Sequence, residues 1–218
     1  MTQNLAMFPL ELVVFPGERL ALHIFENRYQ QLIADCELQN MTFGIPAYFN
    51  GKLSYGTEVR LEKVEKRYPS GASDIVCRGL RVFKIESFYP VYNEKMYSGA
   101  AVTFLNTIED GTAAQRDLFF NLAKRFHALL GADSGLSTGA AMNSYSFPHK
   151  LGLSFKQELE LLKLYSESAR YVYVIDHLTV TLPVVEQMNR TRELIQLNGH
   201  FKNFDPLDFT DYTLGDID

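Results

Sequence analysis

The sequence predicts an α+β protein: a small closed or nearly closed β-barrel, followed by helices. Three observations carry that class. The first hundred or so residues break into six or more short strand-like runs separated by turn signals. One amphipathic helix interrupts them. After residue 107 the apolar period changes from two to that of a helix.

Taken in order, "LVVF" (12–15) reads as a strand ended by Pro16-Gly17, and "LALHI" (20–24) as the next. In "ENRYQQLIADCELQ", Tyr29, Leu32, Ile33 and Cys36 recur at helical spacing and predict one buried face. "TFGIPAYF" (42–49) and "KLSYG" (52–56) flank Asn50-Gly51, which predicts a type I′ hairpin. "EVRLEKVEKRY" (58–68) and "SDIVCRGLRVFKI" (73–85) flank the turn "PSGA", and "MYSGAAVTFL" (96–105) is a further strand. Beyond these, a helix is predicted with the stripe Leu118, Leu122, Phe126, Leu129 and Leu130, stopping at Gly131. "GADSGLSTGAAMNS" reads as a Gly/Ser loop. Ser154 and Ser166 are predicted N-caps of later helices. Pro183 either kinks one long helix or begins a new one capped by Thr181, and Gly199 reads as a stop. The expected organisation is a barrel subdomain (1–106), a helical subdomain (107–204) and an acidic tail (205–218).

With 46% hydrophobic residues the chain can bury a sizeable core. Its net charge of -5 resides in the tail "DPLDFTDYTLGDID", which holds five Asp and no basic residue. The body is then neutral and lacks the overall basic excess that drives nucleic-acid binding. The tail is expected to be solvated, although Leu207, Phe209 and Tyr212 could pack back onto the body. The two cysteines, Cys36 and Cys77, form no CxxC pair and suit buried thiols in a reducing cytoplasm. No signal peptide is read, and no run approaches the ~20 apolar residues needed to span a bilayer, so no membrane association is expected.

Chemistry-bearing patterns are few. His23 and Glu26 in "HIFE" have metal-like spacing, but His23 falls on the strand side of the strand-to-helix transition and Glu26 at the helix start. They read as structural. The other histidines lack ligand spacing, and no metal or cofactor is expected. Gly135-Leu-Ser137-Thr-Gly139 matches G-x-S-x-G, with Asp176 and His200 following in hydrolase order. That motif needs a strand before the serine, and here a helix ends at Gly131 instead. No phosphate-binding loop is present: Gly51-Lys52 is followed by Leu53 and has no glycine five residues before it. A basic cluster remains: Arg60, Lys63, Lys66, Arg67, Arg78, Arg81 and Lys84.

The stretch "MFPLELVVFPGERLALHIFENRYQQLIADC" resembles the opening of the Lon-protease N-terminal, substrate-binding domain family. The shared elements are Phe8-Pro9-Leu10, Phe15-Pro16-Gly17, Leu22-His23-Ile24-Phe25-Glu26 and Arg28-Tyr29. Gly56-Thr57, "IVCRGLRVFKI" and "LSFKQELELL" resemble later family segments, with Val82 between Arg81 and Phe83 as a departure. The chain looks like a stand-alone, bacterial-type member. The resemblance implies a PUA-like β pseudo-barrel with an inserted helix, followed by a C-terminal helical bundle. It implies recognition of unfolded or degradation-bound polypeptide, or of a partner protein, in the manner of an adaptor. No catalytic residue carries over. Neither an ATPase nor a Ser-Lys peptidase motif is seen, so no enzymatic activity is expected. Phe8, Phe15, Tyr48, Phe49 and Tyr68 are the candidate polypeptide contacts. The alternative is an RNA-binding protein that uses the barrel and the basic hairpin 60–84.

Overall fold

The computed structural model describes residues 2–131 and 142–197. Within them the order is β1 (Gln3–Met7), β2 (Arg19–Ile24), α1 (Asn27–Gln39), β3 (Phe43–Phe49), β4 (Lys52–Arg67), β5 (Ser73–Tyr89) and β6 (Ser98–Phe104). The helices α2 (Ala113–Leu129), α3 (Phe155–Lys163) and α4 (Glu167–Leu197) follow. The architecture is the α+β class read above, a β pseudo-barrel with one helix inserted after β2 and helices at the C-terminal side. Pairings β5–β4–β3–β1–β6 return to β5 and close a ring. β5 is long enough to serve two neighbours: residues 73–78 pair with β2, and 83–89 with β6. β2 therefore lies outside the ring with a single neighbour among the described residues.

Two elements differ from the sequence reading. "LVVF" is not a strand. Val13, Val14 and Phe15 are fully buried, but their polar groups are met outside any ladder. The Phe15 N–H donates to Glu18 Oε2 at 2.9 Å, and the Thr57 hydroxyl donates to the Val14 carbonyl. An apolar run looks the same in a buried strand and in a buried irregular segment. The strand that was missed is β1. It joins β3 in parallel at Met7↔Gly44 and runs antiparallel to β6 from Gln3↔Val102 to Met7↔Ser98. Its five residues carry no turn signal, and its main partner lies some ninety residues away in the chain. "KLSYG" and "EVRLEKVEKRY" are one continuous strand, β4. Asn50 and Gly51 both have positive φ, as a type I′ turn requires.

The inserted helix acts as a plug. Its predicted face (Tyr29, Leu32, Ile33, Cys36) packs with Ile24, Phe43, Val59, Ile75 and Cys77. Burial pushes both thiols up to about 12, so they remain protonated. Glu26 precedes the helix and pairs with Arg28 at 2.7 Å. In α2 the buried face is Phe119, Phe120, Ala123, Phe126 and His127; of the predicted stripe Phe126 is buried and Leu122 and Leu129 pack partly buried against the core. Leu118 and Leu130 are exposed. The helix is rotated by about one residue because Phe119 packs on Tyr171 and Phe120 on Phe147. Gly131, at φ +64, follows its end as predicted. Thr112 and Ser154 form capping boxes with Gln115 and Gln157. The Ser166 hydroxyl accepts from the Ala169 N–H at 3.1 Å, in the manner of an N-cap. α4 runs unbroken through Pro183, so no second helix starts at Thr181. Gly199, Ser137 and His200 lie outside the described residues.

The barrel and helices share one core. Val13, Phe15, Ala47 and Val82 pack into the same cluster as Phe119, Leu161, Tyr171 and Leu178. Polar groups reinforce the seam. His149 lies with Nδ1 2.7 Å from Glu158 and Nε2 3.2 Å from Glu18, which joins α3 to the turn before β2. These two carboxylates, Glu158 foremost, push the imidazole up to about 10. The Arg170 guanidinium is 2% exposed and donates to Glu167 at 2.6 Å, to Ser144 and to the Leu164 carbonyl. Burial would raise the Glu167 carboxyl, but the hydrogen bonds from Ser144 and Arg170 outweigh it and hold it below the usual range.

Candidate functional site

The structure scatters the five aromatic residues singled out from sequence. Phe8 is buried against Tyr29, with ring centres 3.8 Å apart, and Phe15 is buried under Tyr145. Neither offers a surface to a ligand, because the "FPL" and "FPG" segments are part of the core. Phe49 is half-buried and stacks on Phe155 at 5.0 Å across the barrel–helix seam. Tyr68 is half-buried, and its hydroxyl donates to Asp74 at 2.7 Å. Only Tyr48 is exposed.

A further set of exposed apolar side chains was not singled out. They lie where α1 meets the tip of the β5–β6 hairpin. Two positive-φ residues, Asn93 and Glu94, make that tip a tight turn, closed by the Tyr92 N–H donating to the Tyr97 carbonyl at 3.1 Å. α1 grips it through one face. Gln31 accepts from the Met96 N–H at 2.8 Å, and Asp35 accepts from the Tyr97 hydroxyl at 2.8 Å and pairs with Lys95 at 3.0 Å. Burial alone would raise the Asp35 carboxyl, but the Lys95 and Tyr97 hydrogen bonds hold it below its ordinary value. Leu38 follows Asp35 at i+3 and Gln31 at i+7, so it extends the same helix face. Leu38 is 83% exposed, Val91 65% and Met96 57%, with Phe88 and Tyr89 exposed on the adjoining strand end. The contacts from α1 make the tip an ordered turn rather than a frayed end. Sequence reasoning passed over it because "ESFYPVYNEKMY" reads as a polar turn and Leu38 as a helix-end residue. The signal available was a tip with four large apolar side chains where a turn needs none. Separately, Val180, Val184 and Met188 form an exposed stripe along α4.

The seven cations of the basic cluster divide. Arg60, Lys63, Lys66 and Arg78 share the outer face of β4 and β5. Arg67 instead pairs with Glu37 of α1 at 2.5 Å. Arg81 pairs with Glu58 at 2.7 Å and lies over the Phe104 ring, and Lys84 pairs with Glu86 at 3.5 Å. His23 points outward from β2, with Nδ1 2.6 Å from Asp74. Among the described residues no three His, Cys, Asp or Glu are grouped to hold a metal, and no helix is long and apolar enough to cross a membrane.

The sequence profile of the "ATP-dependent protease La (LON) substrate-binding domain" matches residues 4–180. The chain belongs to that family. Among solved structures it is similar to "Lon N-terminal domain protein from Xanthomonas campestris", with 25% identity and a TM-score of 0.62. That match covers 80% of this chain and 98% of the other. The fold is shared as well with the N-terminal domain of Mycobacterium avium complex Lon protease. There the identity is 18% and the TM-score 0.56, over 81% of this chain and 98% of the other. No curated protein matches.

Proposed function

We propose that this chain is a non-catalytic polypeptide-recognition module acting in the cytoplasm, an adaptor that binds unfolded or degradation-bound chains. The observation that supports the reading most is the set of exposed apolar side chains Leu38, Val91 and Met96 on α1 and the hairpin tip. It is exposed and apolar, on a hairpin tip that α1 holds through Gln31 and Asp35, in a family named for substrate binding. An unfolded chain differs from a folded one chiefly by its exposed apolar side chains, and such a patch would select on that difference. Tyr48, exposed on β3, is retained as a contributor. The buried positions of Phe8 and Phe15 give them a supporting role at most.

Fluorescence anisotropy with a labelled, permanently unfolded polypeptide tests this. Saturable binding that survives moderate salt is the expected result, because apolar burial is not screened. Binding that vanishes with salt, or a preference for single-stranded RNA of similar length, would overturn it in favour of the basic hairpin.

A further inference from the structure

On the outer face of the sheet, β2, β5 and β4 set nine side chains in three in-register rows. Arg19, Arg78 and Arg60 form the first, Ala21, Val76 and Lys63 the second, and His23, Asp74 and Lys66 the third. The rows depend on two bulges in β4, between Leu61 and Lys63 and between Val64 and Lys66. Each bulge takes up one glutamate, Glu62 or Glu65, so every third residue of β4 keeps to this face. The inner positions Leu61 and Val64 pack on the barrel core.

Three guanidiniums directly opposite one another are an unfavourable arrangement for a sheet. One carboxylate serves two of them: Glu62 accepts from Arg19 Nε at 2.8 Å and from Arg78 Nε. Arg60 is exposed and makes no ion pair among the described residues. Lys66 lies over the Tyr68 ring at 4.5 Å. Cations therefore exceed carboxylates on this face, even with both bulge glutamates counted. The face also borders an open edge. Among the described residues β2 has one neighbour, so every second residue of the strand turns its N–H and C=O outward. A trough of about 620 Å³ lies over the same face, lined by Ala21 and Val76 between His23, Asp74, Glu65 and Lys66.

We infer that β2 is a docking strand for an acidic, extended polypeptide segment. The segment adds to the open edge through main-chain hydrogen bonds, which need no particular sequence. A carboxylate on it takes Arg19, leaving Glu62 to Arg78, so that each guanidinium has its own anion. An apolar side chain two residues along, on the same face of the added strand, enters the trough beside Ala21. This surface is distinct from the hairpin-tip patch and selects on charge and extension rather than on apolar exposure.

The test uses a short labelled peptide of Glu-Ser-Val-Ser repeats, which sets glutamate and valine alternately on one face of a strand, with anisotropy read at low and moderate salt. Three probes accompany it: the same peptide with alternate backbone nitrogens methylated, a glutamine-for-glutamate version, and a single-stranded RNA. The acidic peptide is expected to bind. Its Kd should rise about ten-fold or more in Arg19→Glu and by a smaller factor in Arg60→Glu, two strands away. The methylated and glutamine peptides should bind at least about ten-fold more weakly than the parent. Thermal melts of both variants establish that they remain folded. Unchanged affinity in Arg19→Glu, equal binding of the methylated peptide, or displacement by RNA at equal concentration would each overturn the inference. The first two of these outcomes leave the tip patch standing, since that patch is read separately by the unfolded polypeptide at moderate salt.

Discussion

Arg170 and Glu167 form a charge pair in the core, and a buried pair is sensitive to the loss of one partner. Removing the guanidinium leaves a carboxylate with 5% of its side chain exposed and no cation beside it, bonded by Ser144 and Tyr171 alone among the described residues. Arg170→Leu is expected to cost about 3–5 kcal/mol in denaturant unfolding. Restoring neutrality with a second change, Glu167→Gln, should recover part of that loss. His149 makes the opposite prediction about pH. Its folded value, about 10, lies above its ordinary value of 6.5, so the protonated form stabilises the fold. That contribution is complete below the ordinary value and is lost as pH rises through the folded one. The melting temperature should therefore fall between neutral pH and about 10, and His149→Gln should flatten this slope. At this scale the sequence was legible only where a residue's neighbours are local. Ser154 as a cap could be read; His149 between Glu18 and Glu158 could not, because one partner lies 131 residues away.

Among the elements, periodic segments were read well and irregular ones poorly. α1 shows its buried face in its spacing, since a helix that plugs a barrel needs one continuous stripe. α2 misled because two adjacent phenylalanines outweigh a better-spaced set of leucines. β1 and the 12–15 segment were exchanged for a shared reason. Burial makes a residue apolar whether or not its backbone joins a ladder. The close approach of that irregular segment to β5 yields a prediction. A Cβ on Gly79 would stand 2.2 Å from the Phe15 carbonyl oxygen and 3.1 Å from its carbon, both backbone atoms. Gly79→Ala should therefore destabilise the barrel by about 2–4 kcal/mol, measured by urea unfolding. Gly17, with nothing within 4 Å of such a Cβ but φ +83, should cost about 1–2 kcal/mol as alanine.

For the whole molecule, the β-then-α order, the closed barrel and the family were legible before any coordinates, because each follows from segment patterns. The proposed interaction surfaces were not. Aromatic content suggested Phe8 and Phe15, yet a globular chain uses its largest apolar side chains for the core first. What remains for recognition are side chains that topology leaves over: a hairpin tip clasped by α1, and an edge strand that the ring excludes. The central claim is that the tip patch binds unfolded polypeptide. The most direct measurement is the affinity of a labelled unfolded polypeptide for the wild-type chain and for Val91→Asp/Met96→Asp, at moderate salt. Both positions are exposed, so the double variant should melt within a few degrees of the wild type. The account predicts a Kd at least about ten-fold weaker in that variant. Equal affinity in a variant that folds normally would contradict it.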